Sequence, residues 1–304
     1  MHNAPEGGLG LSPNLSFSCE FLTKIMFGKS ERRSDYQRTA RPIVAMARTL
    51  LQGELTAPHR HRRAQLIYAP SGVLSVETPD GIWVVPPERA VWIPSMMQHG
   101  LRAASNIELH NVYIEPKLAQ HFPASCAVVS VTPLLRALIG EAVTLPARHT
   151  PTSRTARVMT LLLEYIDIKP IPALTLPMPY DARALRLAQQ IRAEPSIAPG
   201  LTRQAEYQGA SRRTLERLFR EQTGMPLGRW RQQALLMRAL ELLAIGTPVA
   251  HIANTLGYTE VAAFSTMFRQ ALGTPPSQYF SERSQQTKNG ASRTHSKRSI
   301  SKSQ

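Results

Sequence analysis

Residues 211–219 read Ser211-Arg212-Arg213-Thr214-Leu215-Glu216-Arg217-Leu218-Phe219, and their spacing decides the fold of the last third of the chain. Leu215, Leu218 and Phe219 fall at i, i+3 and i+4, which is one face of a helix. Arg212, Arg213, Glu216, Arg217 and Arg220 fall outside that stripe. The apolar spacing returns as Phe264, Met267 and Phe268, with Val261, Ala262, Ser265, Thr266 and Arg269 outside it. The recurrence is a duplication. Ala205 and Gly209 return as Ala253 and Gly257, and Phe219, Gly224, Pro226 and Trp230 return as Phe268, Gly273, Pro275 and Tyr279.

Each copy reads helix, short turn, helix, over 201–223 and 249–272. A small residue is needed where the two helices cross, which Ala205 and Ala253 supply. The turn needs a residue that tolerates positive φ, which Gly209 and Gly257 supply. An exposed arginine stripe on a second helix can bond two acceptors on guanine, and a glutamate can accept from cytosine. Other cations in the stripe meet phosphates. The second stripe offers methyls and hydroxyls with one cation, so the first copy is expected to dominate base readout. Taken alone, the first stripe is no more than a solvated helix face; inside a duplicated helix-turn-helix that bland reading loses weight. A helix over 227–244 joins the copies. At about 1.5 Å per residue it spans about 27 Å, against about 34 Å between successive major grooves on one DNA face.

The rest of the chain fits a basic, multidomain protein. The 304 residues carry a formal net charge of +15, which favours a polyanionic partner without identifying it. Positive density rises towards the end: residues 281–304 hold six basic residues and one acid. No apolar run approaches the roughly 18 residues of a spanning helix. Leu15 to Phe27 is interrupted by Glu20 and Lys24, which argues against a signal peptide and a membrane partner. Cys19 and Cys126 have no metal-motif neighbours and agree with a reducing compartment. Residues 1–40 show no period and are expected to be disordered, as is 281–304. Over 41–168, the runs 65–69, 73–77, 82–85 and 90–93 are separated by turn residues, as in a small β-sandwich or barrel. Two amphipathic helices over 132–145 and 154–167 follow. Pro170, Pro172, Pro177 and Pro179 mark 169–180 as an extended connector, and 181–280 is helical. The fold class is thus α+β and multidomain: a β-barrel with two helices, then an all-α domain with two helix-turn-helix units.

The string from Thr202 to Tyr279, with Ser211 to Phe219, Gly257-Tyr258, Phe264, Phe268 and Gly273-Thr274-Pro275, resembles the DNA-binding domain of the AraC family of transcription regulators. Gln204 and Gln208 depart from it, standing where that family has apolar residues. Gly53, His59, His61, Gln65 and Gly72 stand at the spacing of a first cupin motif, with Gln65 in place of glutamate. Pro94 and His99 fit part of the second motif, with Glu88 and Met96 in place of its glycines. This resembles the cupin sensor domain that precedes the DNA-binding part in many members.

His59 and His61 alternate on an expected strand and so share a face. With His99 they are candidates for a divalent metal, the only cofactor implied; the bland reading is that they line or pack a barrel used for sensing. Tyr68, Trp83 and Trp92, with His59, His61, Gln65 and His99, are the candidate effector-binding residues, since effector pockets favour aromatics; each aromatic singly is as well explained by the core. The resemblance implies a non-enzymatic regulator of double-stranded DNA in the bacterial cytoplasm, at the nucleoid. It would act as a homodimer, answer to a small-molecule effector and contact RNA polymerase. The alternatives are a cupin metalloenzyme with an appended DNA-binding part, and a non-specific DNA-binding protein with a strong salt slope.

Overall fold

Strands of about five residues, broken by Ser71-Gly72, Pro79-Asp80-Gly81 and Pro86-Pro87, build the N-terminal part. The computed structural model describes residues 33–146, 150, 152–168, 174–196, 200, 201, 203 and 208–280. A short helix α1 (Arg33–Gln37) precedes β1 (Ile43–Leu50), β2 (Leu55–His59), β3 (Ala64–Tyr68), β4 (Leu74–Thr78), β5 (Gly81–Val85), β6 (Arg89–Ile93), β7 (His99–Ala103) and β8 (Ile107–Ile114). Then come α2 (Pro116–Ala119), β9 (Ala127–Ser130), α3 (Pro133–Thr144), α4 (Arg154–Glu164) and β10 (Thr175–Pro177). Among the described residues the strands form two antiparallel five-stranded sheets, ordered β1-β8-β3-β6-β9 and β10-β5-β4-β7-β2.

Alternation along the strands divides the first sheet into two buried faces. Ala64, Leu66 and Tyr68 of β3, with Ala90 and Trp92 of β6, pack under α3 and α4 against Leu135, Ile139, Met159 and Leu162. Ile67, Val91, Ile93 and Leu109 point the other way, into a core shared with Val76, Trp83, Val85 and Leu101 of the second sheet. Each such large apolar side chain contributes roughly 1.5–3 kcal/mol when fully buried. Both helices start on hydroxyl caps, Thr132 accepting from the Leu135 amide and Ser153 from the Ala156 amide.

The extension expected to be disordered up to residue 40 is ordered over 33–40. There α1 seats Tyr36, 3% exposed, against Val44, Met46 and Tyr113. Burial, with Asp35 adding to it, lifts the Tyr36 phenol to about 12. Five residues are too short for a helical period to show in sequence. The expectations for residues 1–32 and 281–304 lie outside the described residues.

The C-terminal part is helical: α5 (Ala182–Ala193), α6 (Arg212–Thr223), α7 (Leu227–Ala244), α8 (Val249–Thr255) and α9 (Val261–Leu272). Asp181 caps α5 by accepting from the Arg183 and Ala184 amides. The central helix is α7, buried on most sides through Leu227, Trp230, Ala234, Leu235, Leu236, Ala239 and Leu240.

The segment read as a connector joins the second N-terminal sheet. Pro170 and Pro172 lie outside the described residues, but Thr175, Leu176 and Pro177 pair with Trp83, Ile82 and Gly81 as β10. From the other side Trp230 Nε1 donates to the Pro177 carbonyl at 2.6 Å, and Gln233 Nε2 donates to the Thr175 carbonyl. Ser75 on β4 donates to Glu241 on α7 at 3.1 Å, and Arg192 on α5 pairs with Glu77 at 2.7 Å. The two parts therefore meet along an edge strand and across a polar seam.

Candidate nucleic-acid interface and sensor site

The two helix-turn-helix units differ in chemistry on a shared frame. In the first, Ser211 caps α6 by accepting from the Thr214 amide at 3.1 Å. Leu215, Leu218 and Phe219 are 0%, 5% and 0% exposed, as the period requires. Phe219 meets the Trp230 ring edge-on at 5.2 Å. Arg212, Arg213, Arg217 and Arg220 are exposed together on the outer side. Arg217 pairs with Glu221 at 2.6 Å; an exposed i, i+4 pair is worth only about 0.3–0.5 kcal/mol, so it exchanges easily for a stronger partner. Ala205 and Gln204 lie outside the described residues. Gln208, read as a polar intrusion, donates to Gln190 on α5 at 2.8 Å.

Glu216 departs from its expected role in base readout. Its Oε2 accepts from the Leu227 amide at 3.1 Å, satisfying the first turn of α7, while Oε1 stands 3.9 Å from Arg212 Nε. A carboxylate holding a helix start is committed to the fold, because the amides of a first turn have no partner within the helix. The spacing placed Glu216 on the outer stripe, but only the tertiary approach of α7 shows what it faces.

In the second unit Phe264, Met267 and Phe268 are 0%, 6% and 0% exposed. Phe264 lies against Tyr258 and Phe268 against Tyr279. Val261, Ala262, Thr266 and Arg269 are exposed and Ser265 is half-buried. Glu260 precedes α9 without a side-chain cap. The turns of both units use positive φ, 65° at Gly209 and 80° at Gly257, as their glycines allow.

Arg231 was missed by the sequence reading. It sits half-buried on α7, its guanidinium pKa lowered by burial, raised by Tyr258 of the second unit and lowered by Arg212 of the first. Three arginines share α7, Arg229, Arg231 and Arg238, so nothing in the spacing singles this one out. A second unread feature is a cleft of about 230 Å³ at the seam, lined among others by Ser75, Glu77, Arg102, Arg192, Met237 and Glu241.

In the sensor, the three histidines come together at one end of the two sheets. His59 and His99 are cross-strand partners on β2 and β7, after a register shift between Thr56 and His59. His61 is not on the strand with His59 as expected, since β2 ends at His59. It reaches the cluster from the loop beyond. The rings lie 4.3 Å (His59–His99), 5.1 Å (His61–His99) and 5.8 Å (His59–His61) apart. His61 Nε2 is 2.8 Å from Gln65 Oε1, and Gln65, buried, bonds Asn111 Oδ1 at 2.6 Å. His61 also packs edge-on against Tyr113 at 5.4 Å. The loop opposite is held by the Met96 amide donating to the His61 carbonyl at 2.9 Å. Met96 adopts φ 63°, the left-handed region that a glycine would occupy more cheaply.

Two of the aromatic candidates face away from this site. Tyr68 and Trp92 lie on the helix-covered side of the first sheet. There Trp92 donates to the Pro123 carbonyl at 2.9 Å and packs on Phe122. Both faces of that sheet are apolar, so alternation could not say which face was inner. Trp83, paired with Val76 across β4 and β5, lies in the core shared by the two sheets.

The comparisons with known proteins agree with this geometry. Residues 44–164 match the AraC-like ligand binding domain, and residues 204–282 match a helix-turn-helix domain. The chain is 36% identical over 231 residues to the HTH-type transcriptional regulator NimR of Escherichia coli K12, covering 74% of this chain and 83% of that protein. It is 40% identical over 76 residues to the regulatory protein SoxS of Salmonella typhimurium, 25% of this chain and 71% of that one. Among solved structures, fatty-acid-bound ToxT of Vibrio cholerae is similar at 12% identity and a TM-score of 0.33, covering 78% of this chain and 94% of that one.

Proposed function

Since the chain belongs to the AraC family of DNA-binding transcription regulators, we propose that it reads a bipartite operator with α6 and α9 in successive major grooves, under control of a small-molecule effector held by its N-terminal part. The observation that carries this reading is the pair of exposed outer faces on α6 and α9, each backed by a fully buried stripe and joined by the 18-residue α7. Such a helix is about 27 Å long, which suits two recognition helices one DNA turn apart. Arg212, Arg213, Arg217 and Arg220 supply base and phosphate contacts. Val261, Ala262, Ser265, Thr266 and Arg269 supply methyls, hydroxyls and one cation. Hydroxyl-radical footprinting on a selected operator should protect two segments about 10 bp apart on one face of the duplex. Protection of a single groove segment would sink the arrangement. A uniform affinity across sequences that vanished on deleting 281–304 would favour non-specific binding instead.

For control, an effector must bind two states unequally. The shared strand β10 supports a route: it belongs to the sensor sheet, and Trp230 and Gln233 of α7 hold its carbonyls. The candidate effector residues that remain together are His59, His61, Gln65 and His99, while Trp83 lies in the core shared by the two sheets. We read the protein as a non-enzyme, since Gln65 offers a neutral amide where acid–base work calls for a carboxylate. A homodimer is supported by α3 and α4, whose inner faces are buried while Leu134, Leu161 and Tyr165 remain exposed. Action at the cytoplasmic nucleoid, with contact to RNA polymerase, follows from the regulator reading.

A further inference from the structure

We infer that the seam between the second N-terminal sheet and the helical part holds a binding site for a small carboxylic acid with an apolar body. The site lies on the outside of that sheet. Ser75, Glu77, Ile82, Val84, Arg102 and Leu176 share one face of it by strand pairing. The residues between them, Val76, Trp83 and Val85, point the other way into the core shared by the two sheets. The outer face borders a cleft of about 230 Å³, whose opposite wall is α5 and α7, through Arg192, Ala234, Met237, Arg238 and Glu241. A second cleft of about 300 Å³ runs on along β2 and β7, past Leu55, Thr56 and Leu101. Glu77, Arg102 and Arg192 line both clefts, which are therefore two lobes of one groove meeting at these three side chains.

Charge selects the ligand. Arg192 pairs with Glu77 at 2.7 Å and Arg238 with Glu241 at 2.9 Å. Arg102 has no acidic partner among the described residues, and it stands exposed where the two lobes meet. Three guanidiniums thus face two carboxylates, an excess of one positive charge that suits a monoanion. A dianion would meet Glu77 and Glu241, and a cation would meet the surplus arginine. A guanidinium matches a carboxylate with two parallel N–H donors. Arg192 holds Glu77 through one Nη, which leaves other donors of its fork to turn to a ligand. The inner lobe adds apolar contact from Ile82, Val84, Leu176 and Met237. Both lobes fall at or below the low end of the roughly 300–1,000 Å³ that holds a drug-sized ligand, so the occupant is small. Held there, it touches the sheet on one side and α5 and α7 on the other, and favours the arrangement that keeps the seam closed. None of His59, His61 and His99 lines either lobe. The inference therefore goes beyond the effector reading, and binding is measured without DNA, so the two fail separately.

The test titrates full-length protein, isotope-labelled at its isoleucine, valine and methionine methyls, with benzoate or hexanoate and follows it by NMR. The methyls of Ile82, Val84 and Met237 should shift together and saturate. Those of Ile139 and Met159, under α3 and α4 on the other sheet, should stay in place. Benzamide and hexanamide, the same bodies without the charge, should bind about tenfold more weakly or worse. Arg102→Gln should weaken either acid about tenfold or more. Its side chain is exposed, and unmoved Ile139 and Met159 methyls show that the variant has folded. Arg157→Gln, exposed on α4, should leave binding unchanged. The inference is overturned if neither acid moves the seam methyls at about 10 mM, if the amides bind as well as the acids, or if Arg102→Gln binds them undiminished.

Discussion

The recognition helices α6 and α9 have the same length, the same inner stripe and the same glycine turn before them, yet offer DNA opposite chemistries. Position for position, Arg212, Arg213, Glu216 and Arg217 of the first stand where Val261, Ala262, Ser265 and Thr266 stand in the second. Arg220 and Arg269 alone agree. The inner face is dictated by packing on α7 and the rest of the helical core, so duplication preserves it. The outer face answers only to the ligand, so it is free to diverge. On the proposed reading, one unit would bind by charge and bidentate hydrogen bonds, the other by methyl contacts and hydroxyls.

The comparison can be broken first at its shared part. Phe219→Ala and Phe268→Ala each empty a fully buried ring site, and each should cost about 3–5 kcal/mol in urea unfolding. A much smaller loss at one of them would show that the two frames are not equivalent. The outer faces should then behave unequally. Arg213→Ala should lose about 1–3 kcal/mol of discrimination at one base pair of the first segment. Thr266→Ala should lose about 0.5–1.5 kcal/mol at the second, both read by gel shift against operator variants at fixed salt. The reverse order would overturn the division of labour. The smallest effect concerns Glu216. Glu216→Ala should lower stability by about 1 kcal/mol by freeing the Leu227 amide, and leave base preference intact. Its counterpart Ser265→Ala should fall within about 0.5 kcal/mol of the parent. A changed base preference in Glu216→Ala would return that residue to the DNA face.

What was legible followed from periodicity. The stripes Leu215, Leu218, Phe219 and Phe264, Met267, Phe268 are buried as their spacing requires. The helix read over 227–244 occupies Leu227–Ala244. The histidines were also legible as a group, although their meeting depends on a strand end and a loop rather than on one strand face. What was not legible depends on which neighbour covers a face. Tyr68 and Trp92 are apolar on a sheet apolar on both sides, so only the docking of α3 and α4 tells outside from inside. Glu216 has the same spacing as the arginines, and its different fate comes from the approach of a helix that starts eleven residues later. Tyr36 reaches the core from a single turn, too brief to carry a period.

Strand β10 has a consequence for modularity. Families that pair a sensor with a DNA reader are commonly pictured as two beads on a string, exchangeable at the string. Here the string is the outermost strand of one bead and the first handhold of the other, through Trp83, Ile82 and Gly81 on one side and Trp230 and Gln233 on the other. A chimera cut after Pro177 keeps the strand with its sheet but gives the tryptophan of α7 a foreign carbonyl. A cut before Thr175 keeps the tryptophan's partner but strips the sheet of its edge. The domains are separable on paper at the proline-rich segment, but physically they own a piece of backbone in common.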